Sequence, residues 1–142
     1  MKRLIPLMMM VSGSVLAIDD NEVIQKLSPA WASLEQKAVT LVGPDYQKQM
    51  VDAAFASVAV SACPGLEYNA SEVDKRFAKL VNDKGGKTVE EQQTFSIKAS
   101  TLYGAYLGLL IAESHLDTPT FCKYVDKAKA GKEGPKVFWT QK

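Results

Sequence analysis

From Val89 to about Leu116 the chain can run as one helix, longer than any other it offers, and the rest of the fold has to be arranged around that segment. Thr88 followed three residues later by Glu91 gives its start a capping-box pattern. Phe95, Ala99, Leu102, Tyr106 and Leu109 recur at alternating steps of four and three, which is the seam of a helix packed against a neighbour. On the other side Ser100, Gly104 and Gly108 follow at steps of four, with Thr101 beside them. Glycine inside a helix costs about 1 kcal/mol relative to alanine. Close approach of a second backbone is the usual compensation, and the expected neighbour is the alanine-rich segment that ends at Cys63. A break near Gly104, giving two shorter helices, is the alternative.

Helix punctuation continues on both sides, and strand signals are scarce. Asn21 to Leu27 reads as a short first helix. Ser28 as cap and Pro29 at the first helical position then open a second, with Trp31, Leu34, Ala38 and Leu41 at helical spacing and Gly43 as its stop. After Pro44, Asp45 is the expected cap of a helix to about Ala62. Its later part, from Ala53 to Cys63, carries no charge and should be buried on most sides. Pro64-Gly65 ends it. Asn69 with Glu72 makes another capping-box pattern, and Tyr68 with Val73 a hydrophobic staple. Val73, Phe77, Leu80 and Val81 form that helix's apolar stripe, and Gly85-Gly86 closes it. Thr118-Pro119 is the expected cap and first turn of the last helix. Phe121, Cys122 and Val125 should face inward, and Gly131 ends the run. The expected fold is therefore all-α: a bundle of five or six helices.

The chain starts as an exported one would. Met1-Lys2-Arg3 is basic, Leu4 to Val11 is apolar, Ser12-Gly13-Ser14 breaks the run, and Val15-Leu16-Ala17 supplies small residues for cleavage. The apolar run is far short of the roughly 20 residues that span a bilayer. Residues 1–17 are thus expected to be a signal peptide, and 18–142 a single helical domain in the periplasm or outside the cell. In that compartment two cysteines argue for one bridge, Cys63–Cys122. Closing a loop of this length contributes about 4 kcal/mol in the chain-entropy model.

Charge is unevenly spread. Residues 18–122 hold nine basic and fourteen acidic residues, whereas residues 123–142 hold six lysines against Asp126 and Glu133. A mature chain so nearly neutral gives no reason to expect nucleic acid or stable membrane insertion. Val137-Phe138-Trp139 sits in the lysine-rich tail. This segment either folds back on the core or, as exposed aromatics flanked by lysine, suits an interface.

Short motifs add little. Gly86-Lys87-Thr88 lacks the earlier glycine of a phosphate-binding loop and reads as a helix cap. Asn69-Ala70-Ser71 fits a glycosylation sequon, but capping already explains Asn69. One histidine, His115, and two distant cysteines cannot build a zinc site. Neither a metal nor a cofactor is expected. Tyr103 and Tyr106, with Phe95 and Phe121, could line an apolar ligand pocket or be plain core.

The stretch Ile111-Ala112-Glu113-Ser114-His115-Leu116-Asp117-Thr118-Pro119 resembles the Glu-Ser segment of lytic transglycosylases, which cleave peptidoglycan. The resemblance covers about nine residues and implies that Glu113 is a general acid. The family's following Gly-Leu-Met-Gln segment is missing, and only 25 residues remain after Asp117. The sequence therefore favours a non-enzymatic interaction module, such as an inhibitor, an immunity protein or a chaperone-like binder, with another envelope protein as partner. The alternatives are a peptidoglycan-active enzyme using Glu113 and a carrier of a small apolar ligand. Tyr103, Tyr106, His115, Phe138 and Trp139 are the candidate binding residues.

Overall fold

Proline, glycine and capping residues divide the chain into helices joined by short turns. The computed structural model describes residues 22–140, with side chains from residue 27 onward. The expected signal peptide lies outside these residues. Five α-helices follow in order: α1 (Glu22–Val42), α2 (Pro44–Ala62), α3 (Ala70–Lys84), α4 (Val89–Leu116) and α5 (Thr118–Ala130). A short 3-10 helix, Gly134–Phe138, comes last. The fold is all-α, and a disulfide joins Cys63 to Cys122 with their Cα atoms 5.7 Å apart.

Three helix starts differ from expectation. Pro29 lies inside α1, so the two helices expected on either side of Ser28 are one. A proline removes one hydrogen bond, to the carbonyl four residues earlier. Here that carbonyl is in the first turns, so the loss falls near the helix end. α2 is capped by Gly43, not Asp45. Gly43 has φ +84°, and Pro44 occupies the first turn, where its missing N–H leaves no bond unmade. α5 is capped by Asp117, whose carboxylate accepts from the Thr120 N–H at 3.1 Å, while Thr118 is already helical. The other starts are as expected. Thr88 and Glu91 form a complete capping box, and α4 runs unbroken through Gly104. Asn69 accepts from the Glu72 N–H at 3.1 Å. The Glu72 carboxylate does not return to the Asn69 N–H, which donates to the Phe138 carbonyl instead, at 2.8 Å.

α4 lies against both α1 and α2. Its buried seam is Phe95, Ala99, Tyr106, Leu110 and Glu113, with Leu102 and Leu109 partly covered. α2 is enclosed on most sides over its middle, with every residue from Met50 to Ala56 buried, Asp52 included, and the uncharged run from Ala53 onward is mostly covered, as its composition requires. The glycine side of α4, however, does not meet α2. A Cβ placed on Gly104 or Gly108 would have nothing within 4 Å, and both residues are exposed. α2 instead meets the large-residue seam, because burying aromatic and leucine side chains removes far more apolar surface from water than burying glycine.

The C-terminal segment folds back on the core. Phe55 of α2 stacks at a tilt on Phe121 of α5, with ring centroids 5.1 Å apart, and also meets Trp139, at 6.5 Å. The Trp139 indole donates to the Ala56 carbonyl at 3.0 Å. Among the described residues one antiparallel bridge forms, pairing Tyr68 with Trp139.

Candidate functional site

Glu113 sits on the inner seam of α4 and is 1% exposed. Across the bundle, the Trp31 indole of α1 donates a hydrogen bond to its Oε1. Its Oε2 is buried without a hydrogen-bond partner. Removal from water raises the carboxyl to about pKa 7, against the opposing pull of the Trp31 N–H. Such a value suits a proton donor. A general acid must also come within hydrogen-bond reach of the atom it protonates, and Glu113 is enclosed by the bundle. The tilted ring of Tyr106 stands 5.7 Å from that of Trp31.

A second buried carboxylate, Asp52 of α2, does not stand out in the sequence. It is 3% exposed and accepts from Lys48 at 2.8 Å. Burial raises its pKa, while the Lys48 hydrogen bond and the charges of Lys48 and Arg76 oppose the rise. Its sequence signal is a Lys-Asp pair four residues apart at the edge of the apolar later part of α2.

The expected binding residues fall in different places. Tyr106 is wholly interior, and its hydroxyl accepts from Gln47 at 3.1 Å. Trp139 is buried, as is Phe138, and His115 is exposed near the end of α4. Tyr103 is half-buried, and its hydroxyl lies 3.1 Å from that of Tyr68. Tyr103 and Phe138 do come together, as part of the wall of a half-open cavity of about 220 Å³ between α2 and α3.

The cavity exists because α3 packs on α4 and the 3-10 helix but stands off α2. Met50 and Ala53 form its α2 side, and Phe77 and Leu80 its α3 side. Two polar bridges cross between the helices. The Tyr46 hydroxyl donates to the Asp83 carboxylate. Arg76 Nη1 donates to Gln49 Oε1 at 3.1 Å. The apolar stripe of α3 is legible in the sequence. That it faces a space and not a helix is not.

The outer face of α4 is a third candidate. Ile97 is 69% exposed and Ile111 47%, and between them Thr101, Gly104, Ala105 and Gly108 are also exposed. α4 is long and apolar enough to cross a membrane by length and composition alone. In this fold one side of it is covered by α1 and α2. Among the described residues no cluster of histidine, cysteine, aspartate and glutamate has metal-binding geometry. No protein-family model matches the chain, and no curated protein or solved structure matches it either.

Proposed function

We propose that this chain is an exported, non-enzymatic interaction module that holds another envelope protein against the outer face of α4. The carrying observation is that face. No charged residue occurs between Lys98 and Glu113, two isoleucines are exposed, and two glycines stand open. Contiguous exposed apolar surface marks interaction sites in soluble proteins. Small residues let a partner's backbone come close, which gives the glycines a use that the fold itself does not. The acidic body and basic tail would steer encounter more than they add affinity. A disulfide is compatible with an oxidising compartment. The burial of Glu113 weighs against the alternative, catalysis on a polysaccharide.

The test is capture from envelope extract at several salt concentrations. Wild type should retain a discrete protein, and Gly104→Leu, which fills open space, should lose it while remaining folded. Recovery of nothing at any salt, or equal recovery by the variant, overturns the proposal. In parallel, wild type and Glu113→Gln should release no muropeptides from peptidoglycan. Release by wild type alone would restore the enzymatic reading.

A further inference from the structure

We infer that the cavity between α2 and α3 is a binding site for a small, uncharged, carbon-rich molecule about the size of a monocyclic arene. This inference does not depend on the protein partner proposed for α4. Size is the first argument. An apolar cavity of about 150 Å³ stays dry and binds benzene; this one, at about 220 Å³, has room for a substituted ring.

The lining is the second. Met50, Ala53, Phe77, Leu80 and Phe138 present carbon. A water molecule there needs two to four polar partners to be held, and these residues supply none from their side chains. Apolar contact is therefore the main interaction on offer. Of the lining residues, only Tyr46, Ser100 and Tyr103 carry hydroxyls, and that of Tyr46 is engaged by Asp83. A hydroxyl can donate once and accept twice, so Tyr103 keeps bonding capacity beyond its contact with Tyr68. The Ser100 hydroxyl is the other one left to a ligand, so the site suits a molecule with no more than one or two hydroxyl or carbonyl groups.

The rim decides charge. Arg76 looks like an anion receptor, but its Nε already donates to Glu72 at 2.7 Å, its Nη1 donates to Gln49, and its guanidinium lies 5.3 Å from the centre of the Phe138 ring. Asp74 stands beside it on the lining and repels anions. Asp83 accepts from both Tyr46 and Lys79, leaving little to draw a cation. An anion would have to break an existing pair, a cation would find only Asp74, which is exposed and hydrated, and an ion of either sign would lose water against carbon walls. The same bridges decide the kind of occupant. Tyr46–Asp83 and Gln49–Arg76 tie α2 to α3, so a helix or peptide strand cannot lie between them, whereas a small molecule can enter beside them.

The experiment uses the intact disulfide-bonded protein and three probes of similar size: toluene, benzoate and benzylammonium. Methyl signals of Met50, Ala53 and Leu80 are followed by NMR during titration. Toluene should shift them saturably, and the two ions should bind at least tenfold more weakly. Ala53→Phe fills the cavity from α2 and should weaken toluene binding at least tenfold. If that variant does not fold, Ser100→Phe fills it from the exposed side and serves the same purpose. The inference is overturned if toluene produces no saturable shift up to its solubility. It is equally overturned if the ions bind as well as toluene, or if a folded, filled variant still binds it.

Discussion

The two faces of α4 invert the usual partition. Its inner face buries a carboxylate, Glu113, while its outer face leaves Ile97 and Ile111 in water. Both faces are largely apolar, so average hydrophobicity does not decide which side is covered. Side-chain size does. Phe95, Tyr106 and Leu110 give α1 and α2 a deep surface to close on, and Ser100, Gly104 and Gly108 give them almost none. Glu113 is carried inside by its place on the large-residue side, four residues after Leu109 and seven after Tyr106. The Trp31 indole then meets one of its two oxygens.

The sharpest break between the faces should come from two neighbouring residues. Leu110 is 0% exposed, and Leu110→Ala should cost about 3 kcal/mol through lost burial and the cavity left behind. Ile111→Ala, one position along and 47% exposed, should change stability by no more than about 0.5 kcal/mol. Denaturant unfolding of the two variants measures the contrast directly. Equal losses would mean that the outer face is covered in solution.

Glu113 gives the inner face a pH dependence that the outer face cannot have. Its folded pKa is raised to about 7 from an ordinary value of 4.5. Between those values the unfolded chain gives up its proton while the folded one keeps it. The unfolded state then binds fewer protons, so stability falls as pH rises. The full benefit is present below pH 4.5 and is gone once pH has passed 7. The whole difference is about 3 kcal/mol, since each tenfold difference in proton affinity between the folded and unfolded chain is worth about 1.4 kcal/mol. Glu113→Gln should lack this part of the decline. A wild-type curve flat from pH 4.5 to 7.5, or an unchanged slope in the variant, would show that the carboxylate reaches water or a cation.

Much of this inner face is legible in the sequence alone. The capping box at Thr88 and the four-three spacing through Phe95, Ala99, Leu102 and Tyr106 locate α4 and its seam, because both are local signals with fixed periods. The cysteine count gives the pairing, since two cysteines allow only one. Pro29 misleads because proline at a helix start and proline two turns inside look alike when the upstream part of the helix is short. Gly104 and Gly108 mislead for a different reason. Glycine reports that space is wanted or tolerated, but not by whom, and nothing local says whether the neighbour belongs to the same chain. The cavity is illegible because it depends on how far α3 stands from α2. That distance is set by the packing of Leu80, Phe138 and Tyr103, residues far apart in the sequence.

The glycines lead to a third, smaller contrast. Nothing lies within 4 Å of a Cβ built on Gly104 or Gly108. Gly104→Ala and Gly108→Ala should therefore each stabilise the isolated protein by about 1 kcal/mol through helix propensity alone. If the face receives a partner, the same substitutions should weaken capture. Stability and capture would then move in opposite directions, which a purely structural role for the glycines does not produce.

Ile97 supplies the smallest effect and the strictest control. At 69% exposed it removes little apolar surface from water in the free protein, and lysine is a good helix former. Ile97→Lys should therefore leave stability within about 0.5 kcal/mol. A loss above about 1 kcal/mol that grew with protein concentration would mean that a second copy already covers this face, since association of the folded form makes stability depend on concentration. Sedimentation of wild type and variant separates the cases. A dimer that Ile97→Lys dissolves would assign the outer face to the chain itself. A monomer in both leaves the isoleucines and open glycines for a different protein, and makes the captured partner the measurement on which the comparison of the two faces turns.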